Sequence, residues 1–330
     1  MIRTIRRSAA FAVAGTLALA AAGCSAPADD AATAADEGSW PRTIEHELGE
    51  TTIEAQPENI VSTSITLTGT LLAIDAPLTA SAATTPDGEL TDDQGFFAQW
   101  ADVADERGVG VLYPGLELDL EAVIAAAPDL IVISTTGADA TAEAYDQLSE
   151  IAPVVAVNYG DKSWQDVADI LGEATGLEDE ADAAVASYDA EVAEVADTIE
   201  VPEGEANAIV YYGTENDVAF AKLGGPHADL LEALGFTIAD APDELDTAPT
   251  ERQDFAFVSI ENAVATLTGE TVFLVNGDDD TKADLLDEAL FANAPAVESG
   301  AVHPLGATSF RIDYYSALDV VHTIAADFGA

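Results

Sequence analysis

The sequence predicts an α/β protein of two lobes, each built on a parallel-type sheet, joined by a single long α-helix. Three observations carry this. Apolar runs of strand length alternate with amphipathic stretches of helical spacing between about residues 59 and 157. A second series of the same kind begins after residue 200. Between the two, residues 177–200 contain neither Gly nor Pro and place Val185, Tyr188, Val192 and Val195 on one stripe. Continuous apolar strands spaced by helices are the pattern of a parallel sheet covered on both faces.

The first lobe, residues 40–176, begins its sheet with a buried strand at 59–64, followed by a helix through 67–74. A short strand at 78–82 comes next. The segment from Leu120 is helical and stops before Pro128, because proline disfavours helical geometry in the residue before it. Strands follow at 130–133 and 154–157. The linking helix, residues 177–200, reaches over roughly 36 Å at 1.5 Å per residue. It is a rigid strut and predicts small lobe motions rather than wide hinge closure. In the second lobe, residues 201–330, strands are expected at 208–212, 236–238, 271–275 and 301–305, with helices at 228–234 and 314–328. The chain is long enough for two lobes with separate cores.

The charge is extreme. There are 62 acidic residues against 10 basic ones, a formal net charge of -52. Nucleic acid is excluded as a partner, since phosphate binding needs clustered Lys and Arg. Most of the acidity reads as a solvated surface. Any cation aimed into a cleft therefore stands out. Beyond residue 23 the basic residues are Arg42, Arg107, Lys162, Lys222, Arg252, Lys282 and Arg311.

Residues 1–23 have the three zones of a secretory signal. Arg3, Arg6 and Arg7 come first, then an apolar run over 9–22, then Ala21-Ala22-Gly23 before Cys24. Cys24 is the single cysteine, and its setting resembles a lipobox with Ala21 in place of the usual Leu. The expectation is cleavage, acylation of Cys24 and tethering by lipid to the extracytoplasmic face of the cytoplasmic membrane. Residues 24–39, rich in Ala, Asp, Ser and Thr, read as a flexible tether. With one cysteine there is no intrachain disulfide.

Ligands of open α/β sheets bind beyond the carboxyl ends of the strands. The loops leaving those ends are 63–66, 84–96, 134–139 and 158–164 in the first lobe. In the second they are 212–226, 240–254, 276–282 and 305–311. Lys162, Lys222, Arg252, Lys282 and Arg311 fall in or beside them.

Several phrases resemble ferric-enterobactin-binding periplasmic proteins: residues 60–76 (IVSTSITLTGTLLAIDA), Thr84-Thr85-Pro86, Asp93-Gln94-Gly95-Phe96, Asp161-Lys162-Ser163-Trp164, and residues 309–316 (SFRIDYYS). The resemblance runs from about Trp40 to the C-terminus. It implies a class III periplasmic binding protein with two Rossmann-like lobes, a monomer that captures a ferric siderophore and delivers it to the permease of an ABC importer. It implies no catalysis and no cofactor, with iron(III) entering only inside the siderophore and no metal ligands from the protein. Phe310 and Arg311 match an aromatic and an arginine that face the siderophore. A second family arginine aligns with Glu89, and a family tryptophan aligns near Ala221, beside Phe220 and Lys222. Arg252 joins these as a candidate cation of the cleft. Glu121 and Glu261, one on each lobe, resemble the acidic knobs that dock permease arginines.

A ferric tris-catecholate is a trianion. A guanidinium in contact gains about 4 kcal/mol per charge pair at an effective dielectric of 20, and an aromatic ring on a catechol face about 1 kcal/mol. Screening confines repulsion from the distant acidic surface to about 8 Å. The competing role for Arg311 is an ion pair with Asp313. For Phe310 it is core packing, and for Lys222 and Arg252 a solvated charge. Alternative cargoes are a hydroxamate siderophore, haem or a corrinoid, to which the loss of an arginine at Glu89 points. An exported α/β enzyme is the alternative of a different class, and it lacks a convergent acid–base pair. His46, His227, His303 and His322 share no metal-ligand spacing, and Asp278-Asp279-Asp280 lacks the Gly and distal Glu of a calcium loop.

Overall fold

The computed structural model describes residues 40–88, 90–248 and 252–329. The predicted signal and tether, Cys24 and Glu89 lie outside the described residues. Two sheets organise the chain. A hairpin, β1 (Arg42–His46) and β2 (Gly49–Ile53), precedes the first. That sheet follows as β3 (Ile60–Ser62), α1 (Ile65–Ala73), β4 (Leu78–Ala82), α2 (Ala98–Arg107), β5 (Gly110–Tyr113), α3 (Leu120–Ala126), β6 (Leu130–Ser134), α4 (Tyr145–Ser149), β7 (Val154–Val157) and α5 (Trp164–Thr175). The helix α6 (Glu178–Thr198) leads to β8 (Glu205–Val210), β9 (Val218–Ala221), α7 (Pro226–Ala233), β10 (Thr237–Ile238), β11 (Phe255–Val258) and α8 (Ile260–Thr266). The chain ends with β12 (Thr271–Leu274), α9 (Asp279–Asp287), α10 (Pro295–Ser299), β13 (Val302–Pro304) and α11 (Tyr314–Phe328).

The first sheet is wholly parallel, in the order β5-β4-β3-β6-β7. Every residue of β3, β6 and β7 is buried, as strands covered on both faces must be. The chain steps from β3 to β4 on one side and returns to β6 on the other. The order therefore reverses between β3 and β6, and the crevice at such a switch point is where an open α/β sheet receives a ligand.

The second sheet, β11-β9-β8-β12-β13 with β10 beside β8, corrects the expectation of a parallel sheet. The pairs β8–β10, β8–β12 and β12–β13 are parallel, but β8–β9 and β9–β11 are antiparallel. The strand β9 lies in the segment 212–226 that reads as a loop, and β11 just past the expected loop 240–254, in a stretch where no element was expected. Each is short and has a single β-branched residue, so neither carries the signal of a run such as Val154–Val157. The β8–β9 connection turns through Gly213 at φ 85, a conformation that costs glycine little.

Each sheet has a core of its own, as expected: Val61, Ile131 and Ile133 with Leu148 in the first, and Ile209, Phe220 and Val272 with Phe291 in the second. A third apolar cluster runs between them, from Ile60, Val132 and Trp164 through Tyr188 and Val192 to Ala208, Phe273 and Ile324. Helices α1, α5, α6 and α11 pack together between the sheets and join them. α6 buries Ala181, Ala184, Tyr188, Val192 and Val195, a stripe of three- and four-residue steps. The Trp164 ring stands edge-on to Tyr188 at 5.2 Å and to Tyr314 at 5.5 Å, joining α5, α6 and α11. α1 and α11 come so close that a side chain at Gly69 would strike the Asp313 carboxylate. Among the described residues, no helix is long and apolar enough to cross a membrane.

Candidate ligand-binding cleft

A cleft of about 340 Å³ opens at the switch point. Thr66 lines it from the first turn of α1, Thr84, Thr85 and Asp139 from the loops after β4 and β6, and Phe97 from the start of α2, and Arg311 reaches in from the turn after β13. The first sheet thus supplies most of the wall and the second sheet supplies the cation.

Arg311 is exposed, with its guanidinium carbon 5.2 Å from the centre of the Phe97 ring. That contact is a cation–π pair of the kind worth about 0.5–1 kcal/mol at an exposed site. Asp313 does not pair with it. The Asp313 carboxylate instead caps α11, accepting the Ser316 backbone N–H at 2.9 Å and Gln99 Nε2–H at 3.2 Å. The Ser316 hydroxyl donates to the Arg311 carbonyl at 2.7 Å, so the cap of α11 also holds the backbone of Arg311.

The other cations explain why this matters. Arg42 pairs with Glu178, Arg107 with Asp75, Lys162 with Glu47 and Asp161, Lys222 with Asp243 and Asp246, and Arg252 with Asp254. Lys282, in α9, forms no ion pair among the described residues and does not line the cleft. Among the described residues, Arg311 has no carboxylate within ion-pair distance. In a chain with 62 acidic residues, a cation left unpaired in a cleft is available to an outside anion.

Lys222 and Arg252 are committed to their own lobe. Lys222 Nζ lies 3.0 Å from Asp243 and 3.3 Å from Asp246. Arg252 holds Asp254 through Nε at 2.8 Å and through a second, shorter bond from the far nitrogen. Both were expected as free cations of the cleft, and the fold neutralises them. Phe220 was expected to face ligand and is 2 % exposed. Along β9, Val218 and Phe220 point into a core with Tyr211 and Phe291, while Ala219 and Ala221 point to the opposite face, also buried. Phe310 is half-buried and stacks on Phe255 at 5.7 Å, with the planes 5° apart. It serves as packing for the turn that carries Arg311.

The floor of the cleft carries a carboxylate. Asp139 is 3 % exposed. It accepts the Ser64 hydroxyl at 2.6 Å, the Thr66 backbone N–H at 3.0 Å and the Tyr159 hydroxyl at 2.7 Å. It therefore occupies the N-terminal, positive end of α1, a place an anionic ligand could otherwise use. Burial, and then the Asp139 charge, push the Tyr159 hydroxyl far up, so it keeps its proton and remains a donor. A side chain at Gly137 would collide with that hydroxyl. The loops 134–139 and 158–164 were legible as strand ends, but nothing in the sequence singled out Asp139 or Tyr159 within them.

Glu121 lies in the first turn of α3 and Glu261 in the first turn of α8, both exposed. Each is followed three residues later by an exposed β-branched side chain, Ile124 at 59 % and Val264 at 38 %. Asp278 caps α9 through the Thr281 backbone N–H and hydroxyl, both at 2.8 Å, so the acidic run starts a helix. Among the described residues no group of His, Cys, Asp and Glu could hold a metal ion.

A parallel sheet with a cleft at its switch point, met by a cation from a second sheet, is the arrangement of a ligand-binding protein. The chain belongs to the periplasmic binding protein family, which it matches over residues 60–307. It is therefore an extracytoplasmic binding protein. It is 44% identical over 297 residues to the ferric enterobactin-binding periplasmic protein FepB of Escherichia coli O6:H1, covering 89% of this chain and 93% of that one. It superposes on the crystal structure of holo-ViuP with a TM-score of 0.82 at 37% identity, covering 88% of this chain and 96% of that chain. The periplasmic catecholate-siderophore binding protein VctP from Vibrio cholerae shares the fold at a TM-score of 0.61 and 18% identity, with 87% and 100% covered.

Proposed function

We propose that this protein captures a ferric siderophore of the catecholate type and delivers it to an ABC importer, held at the membrane by lipid on Cys24. The observation that carries the reading is the unpaired Arg311 guanidinium over Phe97, in a chain 44% identical to a ferric enterobactin-binding protein. Arg311 supplies charge to a trianion, and the Phe97 ring beneath it limits where that charge can sit. The packed helices between the sheets favour small lobe motions on binding. Iron is cargo, coordinated by the siderophore, and the protein acts as a monomer.

A less charged hydroxamate complex is the second reading. The buried Asp139 carboxylate and the pairing of Lys222 and Arg252 favour it, because they leave one free cation at the cleft. Titration of tryptophan fluorescence separates the two. Trp100 lies 6.0 Å from Phe97 and reports on the cleft. Ferric enterobactin should quench at submicromolar concentration, and a ferric hydroxamate or haem should need far more. Tight binding of haem alone would refute the siderophore reading.

Docking is read onto Glu121 and Glu261, with Ile124 and Val264 beside them as apolar contacts. The double variant Glu121→Arg/Glu261→Arg should lower cellular uptake at least tenfold, since like charge across an interface costs several kcal/mol, with affinity in solution unchanged. In the same cells Cys24→Ser should move the protein from the membrane to the soluble fraction. Unchanged uptake, or unchanged membrane retention, would remove the corresponding part of the reading.

A further inference from the structure

His227, the second residue of α7, is 3 % exposed. Its Nε2 lies 2.8 Å from the Ser309 carbonyl oxygen, so that nitrogen carries the hydrogen and donates. Its Nδ1 then has no partner among the described residues. A buried polar atom left unsatisfied is costly and calls for an explanation. Burial lowers the pKa to about 4, so the ring is neutral at physiological pH. Asp254, the partner of Arg252, is the charged group whose field reaches it. The ring also packs on Phe255 at 4.8 Å, and Phe255 in turn stacks on Phe310.

Ser309 is the hub of the turn that presents Phe310 and Arg311. It is fully buried, its hydroxyl donates to the Gly306 carbonyl at 2.7 Å, and the same hydroxyl accepts the Asn276 N–H at 2.8 Å. His227 reaches this turn by two routes, a hydrogen bond at Ser309 and a tilted ring contact with Phe255, which stacks on Phe310. The residue sits behind the wall and cannot touch the ligand itself.

We propose that His227 is a positioning residue of the cleft, fixing through Ser309, and through the Phe255–Phe310 packing, where Arg311 stands against an anionic ligand. The proposal rests on the reading of Arg311 as the ligand's cation, and its test separates the two. His227→Phe keeps a ring on Phe255 and removes the donor, while His227→Gln keeps an N–H of similar reach. Loss of one orienting hydrogen bond should weaken ferric enterobactin binding about tenfold in His227→Phe, with His227→Gln restoring most of it. In an Arg311→Ala background His227→Phe should cause no further loss. A residue that mattered only for folding would weaken both backgrounds alike, and that result would overturn the proposal. Amide hydrogen exchange at residues 309–311 of the unliganded protein should quicken in His227→Phe and recover in His227→Gln. Unchanged exchange would also overturn it. The exchange arm needs no ligand, so it decides the proposal even where wild-type protein fails to bind ferric enterobactin, a failure that counts against the functional reading alone. Where His227→Phe does not fold, His227→Leu replaces it in every arm.

Discussion

Arg311→Glu should weaken binding of ferric enterobactin about a thousandfold. The estimate follows from one guanidinium–anion contact worth about 4 kcal/mol at an effective dielectric of 20, lost on substitution and replaced by repulsion. No neighbour compensates, because Lys222 and Arg252 already hold Asp243, Asp246 and Asp254. Arg311→Lys keeps the charge but gives up the planar fork, and a loss of about tenfold is expected. Two accompanying results identify the cause as charge. Wild-type affinity should fall with added salt, and that slope should flatten in Arg311→Ala. Binding of a neutral ferric hydroxamate should change little in any of these variants. If Arg311→Glu binds ferric enterobactin as wild type does, the assignment of the cleft fails.

Between pH 3 and pH 7 the protein should lose about 3 kcal/mol of stability through Asp313 alone, reckoned at 1.36 kcal/mol for each pH unit of the shift. Burial raises its pKa from 3.8 to about 6, and the hydrogen bonds from Ser316 and Gln99 offset only part of that. The folded state therefore binds the proton more tightly than the unfolded state. The stabilisation is complete below the unfolded pKa and is lost as pH rises through about 6. Asp313→Asn keeps a good helix cap without a charge. Comparing the variant with wild type by urea unfolding cancels the many surface carboxylates. The stability of the variant relative to wild type should climb by about 3 kcal/mol across this interval. A flat difference would mean that the carboxylate is solvated rather than enclosed between α1, α2 and α11.

Legibility followed the length of the signal. The strands at Leu130–Ser134 and Val154–Val157 and the helix Tyr314–Phe328 were readable because apolar runs and helical spacing are local patterns. β9 and β11 escaped because Val-Ala-Phe-Ala and Phe-Ala-Phe-Val each hold one β-branched residue, against three in Val154–Val157, and antiparallel pairing is decided by partners outside the strand itself. That miss misplaced Phe220, which looked like a loop aromatic and is a core residue. In the cleft, Arg311 was legible by its rarity as a cation and by the phrase around it. Asp139, Tyr159 and His227 were not. Their roles depend on neighbours 75, 20 and 82 residues away, at Ser64, Asp139 and Ser309.

By itself the sequence determined the class: alternating α/β elements, a helical strut, an acidic surface and a family resemblance that places one arginine at a strand end. These are properties of composition and local period, which do not depend on how distant segments meet. Only the tertiary structure decided which charges remain free. Every cation here sits among excess carboxylates, and whether one is neutralised turns on a few ångströms of side-chain approach across the fold. Those distances paired Lys222 and Arg252, turned Asp313 toward its helix, and left Arg311 open over Phe97.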